Sequence, residues 1–339
     1  MSTPPKTSPV RRLFRLGLNL FQGLVLLILA AWSTGAIYYS NLPTNWLRSF
    51  AAIIFVAGTI VLFVLVRPWR KARNIFLATF GGVAVWFLLI PASNDRDWRP
   101  DVALLPYAEI DGDLINIHNI RNCDYRTETD YTVQHYDRTY DLTKLRSADL
   151  YVIHWGSPAI AHTIMSFGFA DGGYVCFSIE TRNEKGEGYS AIKGLFRQFE
   201  LTYVVADERD VIRLRTNYRG EQVYLYRLKG SREIARQVFL DYFKTINQLR
   251  TQPQWYNVLT DNCTTQVHAH TYPFAKKVRW DWRILANGYV DELMYEVGSI
   301  DRSLPFNELK MRSLINDKAK AADTNANFSE LIRVGLPRM

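Results

Sequence analysis

The sequence predicts an α+β domain with an antiparallel sheet, preceded by three N-terminal transmembrane helices. Three observations carry this prediction. Long uncharged stretches fill much of residues 1–92, strand-like segments precede helix-like segments in the rest of the chain, and the two parts differ in charge. Strands that cluster before helices are typical of α+β folds, in which helices pack against an antiparallel sheet.

Three uncharged stretches are each long enough to cross a bilayer as a helix. They cover residues 16–38, 49–66 and 75–91, and a spanning helix needs about 17–25 residues. A cleaved signal peptide is the alternative for the first stretch, because basic residues precede it. Two further stretches follow at once, and the first is too long for an ordinary signal peptide, so we predict three retained helices.

Basic residues predict the orientation of these helices. Arg11, Arg12 and Arg15 precede the first stretch, four basic residues lie between the second and third, and residues 40–48 contain one. Because cytoplasmic loops carry the excess of Lys and Arg, the N-terminus is predicted inside and the chain after residue 91 outside.

The net charge of +8 comes from the membrane segment alone. Residues 1–94 hold nine Lys and Arg and no Asp or Glu, which leaves −1 for residues 95–339. A basic balance confined to membrane anchoring does not support nucleic-acid binding, so that class of function is excluded.

Composition divides the chain into four parts. We predict a membrane anchor at 1–92, a polar linker at 93–106, a thiol-enzyme-like domain at 107–304 and a C-terminal extension at 305–339. The polar stretch 307–327 is predicted to be a mobile helix or tail, and the apolar stretch 328–337 to dock back on the domain. The charged stretch 207–210 is predicted to be a solvated loop.

Alternation and turn residues predict the elements of the outer domain. Strands are expected at 113–120, 131–140, 150–155, 161–169, 174–181, 201–205 and 222–228. Helices are expected at 188–199, at 231–249 with Ser231 as N-cap, and from Cys263 onward.

The hairpin formed by strands 161–169 and 174–181 brings polar side chains together. A three-residue loop places His162 directly across from Glu180, with Ser178 on the same face. A two-residue turn at Asp171-Gly172 pairs His162 with Thr181 instead. We prefer the three-residue loop, because it gives a chemically coherent polar face.

Cys263 is the candidate nucleophile. It stands where a loop becomes a helix, and the helix dipole and exposed N–H groups there favour thiolate over thiol. The chain has three cysteines, so pairing of Cys123 with Cys176 leaves Cys263 free, although all three could equally be unpaired.

A histidine elsewhere in the chain can serve as the base for such a thiol, and His162 is the candidate. Glu180 is expected to accept a hydrogen bond from one imidazole nitrogen while the other takes the thiol proton. Candidates for binding substrate or stabilising an oxyanion are Asn262, Tyr256, Ser178 and Arg182. The expected chemistry is acyl transfer through a thioester.

Each residue also has a structural interpretation. Cys263 could be a buried small residue and His162 a satisfied core histidine, and Glu180 could form a surface ion pair with Arg182. A metal site with His268 and His270 is disfavoured, because residues two apart do not share a helix face. No metal and no cofactor is therefore predicted.

Six short motifs in fixed order resemble a bacterial family, the lipoprotein N-acyltransferase B N-terminal periplasmic domains. The resemblance covers roughly residues 95–300. The motifs are Asp95-Arg96-Asp97-Trp98, Ile120-Arg121-Asn122, Ala161-His162-Thr163, Ser178-Ile179-Glu180-Thr181-Arg182, Phe199-Glu200-Leu201-Thr202-Tyr203 and Asp261-Asn262-Cys263-Thr264.

This resemblance implies a circularly permuted papain-like fold of the NlpC type, with the histidine before the cysteine in the chain. It implies Cys263 as nucleophile and His162 as base, whereas Glu180 rests on the hairpin argument. A multi-pass protein of the bacterial inner membrane, with a periplasmic domain that acts on a membrane lipid or lipoprotein, is then expected. The alternatives are a thiol amidase or peptidase for cell-wall peptide, and a non-catalytic periplasmic binding module. Nothing in the sequence indicates an oligomeric state.

Overall fold

The computed structural model describes residues 9–338. The chain forms two compact units, with the division between Pro91 and Ala92. In the first unit, helices α1, α2 and α3 span Pro9–Tyr38, Asn45–Leu65 and Trp69–Leu88. Two helices, Val10–Tyr38 and Asn45–Leu65, are long and apolar enough to cross a membrane. The first turns of α3 contain three basic residues, so the third span stays a prediction.

The second unit is built on an eight-stranded sheet with the order β1-β2-β9-β8-β7-β6-β10, and β5 also pairs with β2. Two short strands, β3 and β4, pair separately. The bounds are β1 Tyr107–Asp111, β2 Leu114–Arg121, β3 Asp124–Tyr125, β4 Tyr131–Thr132, β5 His135–Asp141, β6 Leu145–His154, β7 Ala161–Phe169, β8 Tyr174–Arg182, β9 Glu200–Ala206 and β10 Gln222–Arg227.

The sheet is mixed, because β2 and β9 run parallel where Arg121 pairs with Ala206. The prediction of a purely antiparallel sheet is wrong at this one pair. The expected strand 131–140 is also interrupted, since β4 leaves the main sheet to pair with β3. The α+β class itself is confirmed.

Helices cover both faces of the sheet. Their bounds are α4 Pro100–Ala103, α5 Ala191–Leu195, α6 Glu208–Arg213, α7 Arg232–Thr251, α8 Cys263–Ala275, α9 Val290–Glu296, α10 Phe306–Ser313, α11 Asn316–Ala322 and α12 Phe328–Leu331. The segment Leu214–Tyr218 continues α6 as a π-helix. The helix expected at 188–199 is present only as the shorter helix α5.

Apolar side chains alternate between two cores. On one face, Phe167 and Phe177 pack with Phe239 of α7. On the other, Ile164 shares a core with Ile212 of α6 and Phe328 of α12. Because both faces are covered, most of β7 and β8 is buried, as in sheets with helices on either side.

The C-terminal extension belongs to the second core. Ile315, Ala319 and Phe328 are buried there. The stretch 307–327, predicted to be a mobile helix or tail, is helical in α10 and α11 but is packed on the domain, and the docking predicted for 328–337 is confirmed. The prediction of a solvated loop at 207–210 is also wrong, because Glu208 and Asp210 are buried in α6. Both carboxylates are neutralised there, by Arg333 and Arg121 respectively.

The β7–β8 hairpin has the register that the odd-numbered loop predicts. Ile164 pairs with Ser178, and the Phe169 N–H donates to the Gly173 carbonyl at 2.8 Å. Gly172 takes φ +81°, which suits glycine in the three-residue loop. Continued two residues further, this register places His162 across from Glu180.

Candidate functional site

Asn262 fixes the start of helix α8. Its side-chain oxygen accepts the N–H groups of Thr264 and Thr265 at 2.9 Å each, and its amide nitrogen donates to Val258 O at 2.8 Å. The side-chain oxygen of Asn262 therefore caps the N-terminus of the helix. Cys263 is therefore the first residue of the helix.

The Cys263 thiol has two polar neighbours. Its Sγ lies 3.8 Å from Thr264 Oγ1 and 3.8 Å from Asn287 Nδ2. Asn287 also donates to Thr264 Oγ1 at 3.0 Å and accepts the Ala161 N–H at 2.7 Å. This one amide therefore ties the start of α8 to the start of β7, one residue before His162.

Gly288 allows Asn287 to approach β7 so closely. A Cβ at this position would lie 1.9 Å from the Pro158 carbonyl oxygen. The Gly288 N–H also donates to Ala159 O at 3.1 Å. Any side chain here must move the 158–159 backbone, so the glycine is required for the close approach.

His162 begins a chain of polar contacts on the other face of β7. Its Nε2 lies 2.8 Å from Ser178 Oγ, and Ser178 Oγ donates to Glu180 Oε1 at 2.7 Å. His162 Nε2 is 3.9 Å from Glu180 Oε1, so the carboxylate acts on the ring through the serine hydroxyl. The expected direct hydrogen bond is absent, because Ser178 lies between them on the same strand face.

Arg215, in the π-helical segment Leu214–Tyr218, is the next member of this series of polar contacts. Its Nη2 donates to Glu180 Oε1 at 3.3 Å and its Nη1 to Glu221 Oε2 at 2.9 Å. Burial and then the charge of Arg215 lower the pKa of His162 to about 3. Burial alone raises the pKa of Glu180, but Arg215 and His162 together hold it well below its usual range. At neutral pH the imidazole is therefore neutral and Glu180 ionised.

The depressed pKa of His162 predicts a pH-dependent stability. The unfolded side chain titrates near 6.5 and the folded one near 3, so only the unfolded chain gains a proton between these values. Above pH 6.5 the neutral ring costs no stability. Below pH 6.5 the free energy of unfolding falls by about 1.4 kcal/mol per pH unit. We expect the thermal midpoint of wild type to fall more between pH 6.5 and 4 than that of His162→Gln. Parallel curves for the two proteins would contradict the assignment.

A cavity of about 670 Å³ collects these residues at the start of β7. Cys263 and Asn287 line it from one side and His162, Glu180 and Arg215 from the other. Within residues 9–338 no hydrogen bond joins Cys263 Sγ to His162, and Cys263 is only 6% exposed. The structure thus brings thiol and imidazole to one cavity without direct contact.

The other sequence candidates divide between this cavity and the linker. Tyr256 lines the cavity and shares a hydroxyl hydrogen bond with Tyr189. Burial, and then the nearby Cys263, raise the pKa of Tyr256 well above its usual range. Arg182 is not brought to the cavity. Its guanidinium donates to the Val102 and Ala103 carbonyls and lies 4.2 Å from the Trp98 ring centroid.

The remaining histidines of α8 serve structural contacts. His270 bonds through Nδ1 to Asp241 and through Nε2 to Tyr203, each at 2.8 Å. His268 Nε2 lies 2.8 Å from Val278 O. The described residues include no group of three metal-ligating side chains. All three cysteines are free, so Cys123 and Cys176 form no disulfide.

Arg215 is a site residue that sequence reasoning missed. It stands 35 residues after Glu180 in a segment without a motif, and only the fold places the two together. Asn287 had a weak signal, since Asn287-Gly288 pairs an amide with a residue suited to close backbone approach.

The fold and the cavity define a mixed α+β domain with a cysteine at a capped helix start and a histidine on a neighbouring strand. Residues 131–288 match the family model described as the Lnb N-terminal periplasmic domain. The match includes His162, Glu180, Cys263 and Asn287, and it confirms the family resemblance of the motifs. No curated protein and no solved structure gives a significant match to the chain.

Proposed function

We propose that the chain is a membrane-anchored periplasmic enzyme that uses Cys263 for acyl transfer on a lipoprotein or another lipid-linked or cell-envelope substrate. The observation that carries the proposal is the placement of Cys263 at the capped start of α8, in one cavity with His162. A thiol at a helix start, with a histidine lining the same cavity, supports a thiol acyl-transfer enzyme.

The proposed reaction has two steps. The Cys263 thiol gives its proton to His162, and its sulfur attacks the acyl carbonyl of the donor. The donor's oxygen or nitrogen leaves with that proton, and a thioester remains on Cys263. An amine then attacks the thioester and loses a proton to His162, the new amide is released, and the proton returns to the sulfur.

The low pKa of His162 fits a base that accepts a proton only when Cys263 becomes a thiolate. Burial and Arg215 keep the ring neutral while Cys263 is a thiol. A thiolate at the helix start adds a negative charge nearby, which favours the imidazolium, so the two ions form together. Glu180, acting through Ser178, is proposed to hold the ring in position.

Several groups are proposed to stabilise the oxyanion of the tetrahedral intermediate. The Asn287 amide lies 3.8 Å from Cys263 Sγ and points into the same cavity. The Cys263 backbone N–H and the Tyr256 hydroxyl are the other proposed donors. Asn262 is proposed to act indirectly, because its oxygen caps the helix that carries the thiol.

The proposed anchoring places α1, α2 and α3 across the bacterial inner membrane with the second unit in the periplasm. The two apolar helices and the periplasmic family of residues 131–288 support it. The excess of basic residues before α1 and at the start of α3 supports this orientation. A permuted papain-like arrangement is proposed for the second unit, because its histidine strand precedes its cysteine helix.

Labelling with iodoacetamide at neutral pH tests whether Cys263 is activated. We expect Cys263 to react in the native protein, while Cys123 and Cys176 react only after denaturation. Burial and then Asp210 raise the pKa of Cys123 to about 12, and burial raises the pKa of Cys176 well above its usual range. Peptide mass spectrometry reads the three sites separately. Equal protection of all three thiols in the native protein would contradict the proposal and favour a non-catalytic binding module.

A further inference from the structure

A second cavity, of about 530 Å³, lies between the sheet and helices α7 and α8. Its inner wall is apolar and includes Leu150, Met165, Phe167, Val238 and Val267. Protein interiors contain few voids larger than a water molecule, whereas ligand cavities measure about 300–1,000 Å³. The volume of this cavity falls within the range of ligand cavities.

The mouth of this cavity is basic. Its exposed lining residues include Arg146, Lys229, Arg232 and Lys277, and no lining residue is an Asp or a Glu. Lys229 lies 3.6 Å from Asp301, and Lys277 donates to the Lys229 carbonyl at 3.4 Å. Within residues 9–338, Arg146 and Arg232 have no acidic partner, so their charges are available to an anionic ligand.

The floor of the cavity adjoins the thiol site. Thr163 Oγ1 and Thr264 Oγ1 lie 3.2 Å apart there and line the cavity. Their chain neighbours, His162 and Cys263, line the other cavity. The two cavities are thus separate spaces on either side of the threonine pair.

We propose that this second cavity binds one hydrocarbon chain of a membrane lipid whose anionic headgroup lies at Arg146 and Arg232. A methylene group is similar in size to a water molecule, whose share of liquid volume is about 30 Å³, so the space accommodates a single acyl chain. The apolar wall suits the chain, and the unpartnered arginines suit a phosphate. A peptide ligand would instead need polar partners along the wall.

The direction of binding follows from the charges. With the headgroup at the basic mouth, the methyl end of the chain reaches the Thr163–Thr264 floor. The lipid ester bond then lies at the end far from Cys263, so this lipid is a bound ligand and not the acyl donor. The inference goes beyond the proposed reaction and does not depend on it.

Photolabelling of the full chain in phosphatidylcholine nanodiscs tests the site. The probes are lysophosphatidylglycerol and lysophosphatidylcholine, each with a diazirine on its acyl chain, and labelled peptides are identified by mass spectrometry. We expect the anionic probe to label β7, α7 and α8 several-fold more than the zwitterionic probe. Ala235→Trp and Ala275→Trp each fill the cavity from a different helix, and either should lower this labelling about tenfold.

Charge variants and a thiol variant complete the experiment. The double variant Arg146→Glu with Arg232→Glu should abolish the preference for the anionic probe, whereas Lys320→Glu, on the opposite side of the sheet, should retain it. Cys263→Ala should label like wild type, which separates this proposal from the proposed reaction. Labelling confined to residues 9–88, equal labelling by both probes, or labelling unchanged in both folded tryptophan variants would overturn the proposal.

Discussion

Cys263→Ala should abolish acyl transfer while the protein keeps its fold. The wild-type chain is expected to transfer an acyl group from a diacylated lipopeptide to an amine acceptor, and mass spectrometry of the products follows this transfer. Removal of a nucleophile leaves only binding and oxyanion stabilisation, so we expect the rate to fall by at least about a thousandfold. The small side chain leaves the Asn262 cap intact, because that cap uses backbone N–H groups of the next residues.

The matched control is Cys123→Ser, a second buried free cysteine in a separate apolar cluster. It should retain most of the activity. His162→Ala should lose about a hundredfold or more, as expected for a general base. Activity that survives in folded Cys263→Ala would rule out the thiol mechanism. Wild-type cleavage of cell-wall peptides without any acyl movement would favour the amidase alternative.

Arg333→Met should cause the largest loss of stability. Its guanidinium donates to both Glu208 carboxylate oxygens at 2.7 Å and to Asp149 Oδ2 at 2.8 Å. All three side chains are buried. Loss of the arginine leaves the buried Glu208 carboxylate without a cationic partner and Asp149 with Arg227 alone, so the free energy of unfolding should fall by about 3–5 kcal/mol.

The matched control is Arg338→Ala, five residues further along the chain. Arg338 is 63% exposed and pairs with Asp301 at 3.0 Å. Exposed ion pairs contribute little, so this change should cost less than about 1 kcal/mol. Thermal unfolding of both variants beside wild type measures the difference. Similar midpoints for Arg333→Met and Arg338→Ala would show that the buried cluster does not hold the domain together.

Local rules were sufficient to predict the hairpin. The three-residue loop with glycine, the alternating side-chain directions along β7 and β8, and the N-cap before Cys263 each depend only on residues close together in the chain. They predicted that His162 and Glu180 lie across from each other. They could not predict that the Ser178 hydroxyl would stand between the ring and the carboxylate, since that depends on side-chain rotamers.

Contacts between residues far apart in the chain account for the features that the sequence did not predict. Glu208 and Asp210 look like solvent-exposed charges until the fold brings Arg333 and Arg121 to them. Arg215 reaches Glu180 only because the fold brings the π-helical segment close to the end of β8. The same holds for the parallel β2–β9 contact, which joins strands far apart in the chain. Neither periodicity nor composition carries such information.

The docking of the C-terminal extension has a consequence for biosynthesis. Arg333 anchors Glu208 at the start of α6, and Asn217 in the π-helical continuation donates to Ala319 O of α11. The same continuation carries Arg215, which sets the charge balance around His162. A ribosome must therefore translate beyond residue 333 before the imidazole acquires its final surroundings. A nascent polypeptide that stops short of this residue lacks the cation that neutralises Glu208.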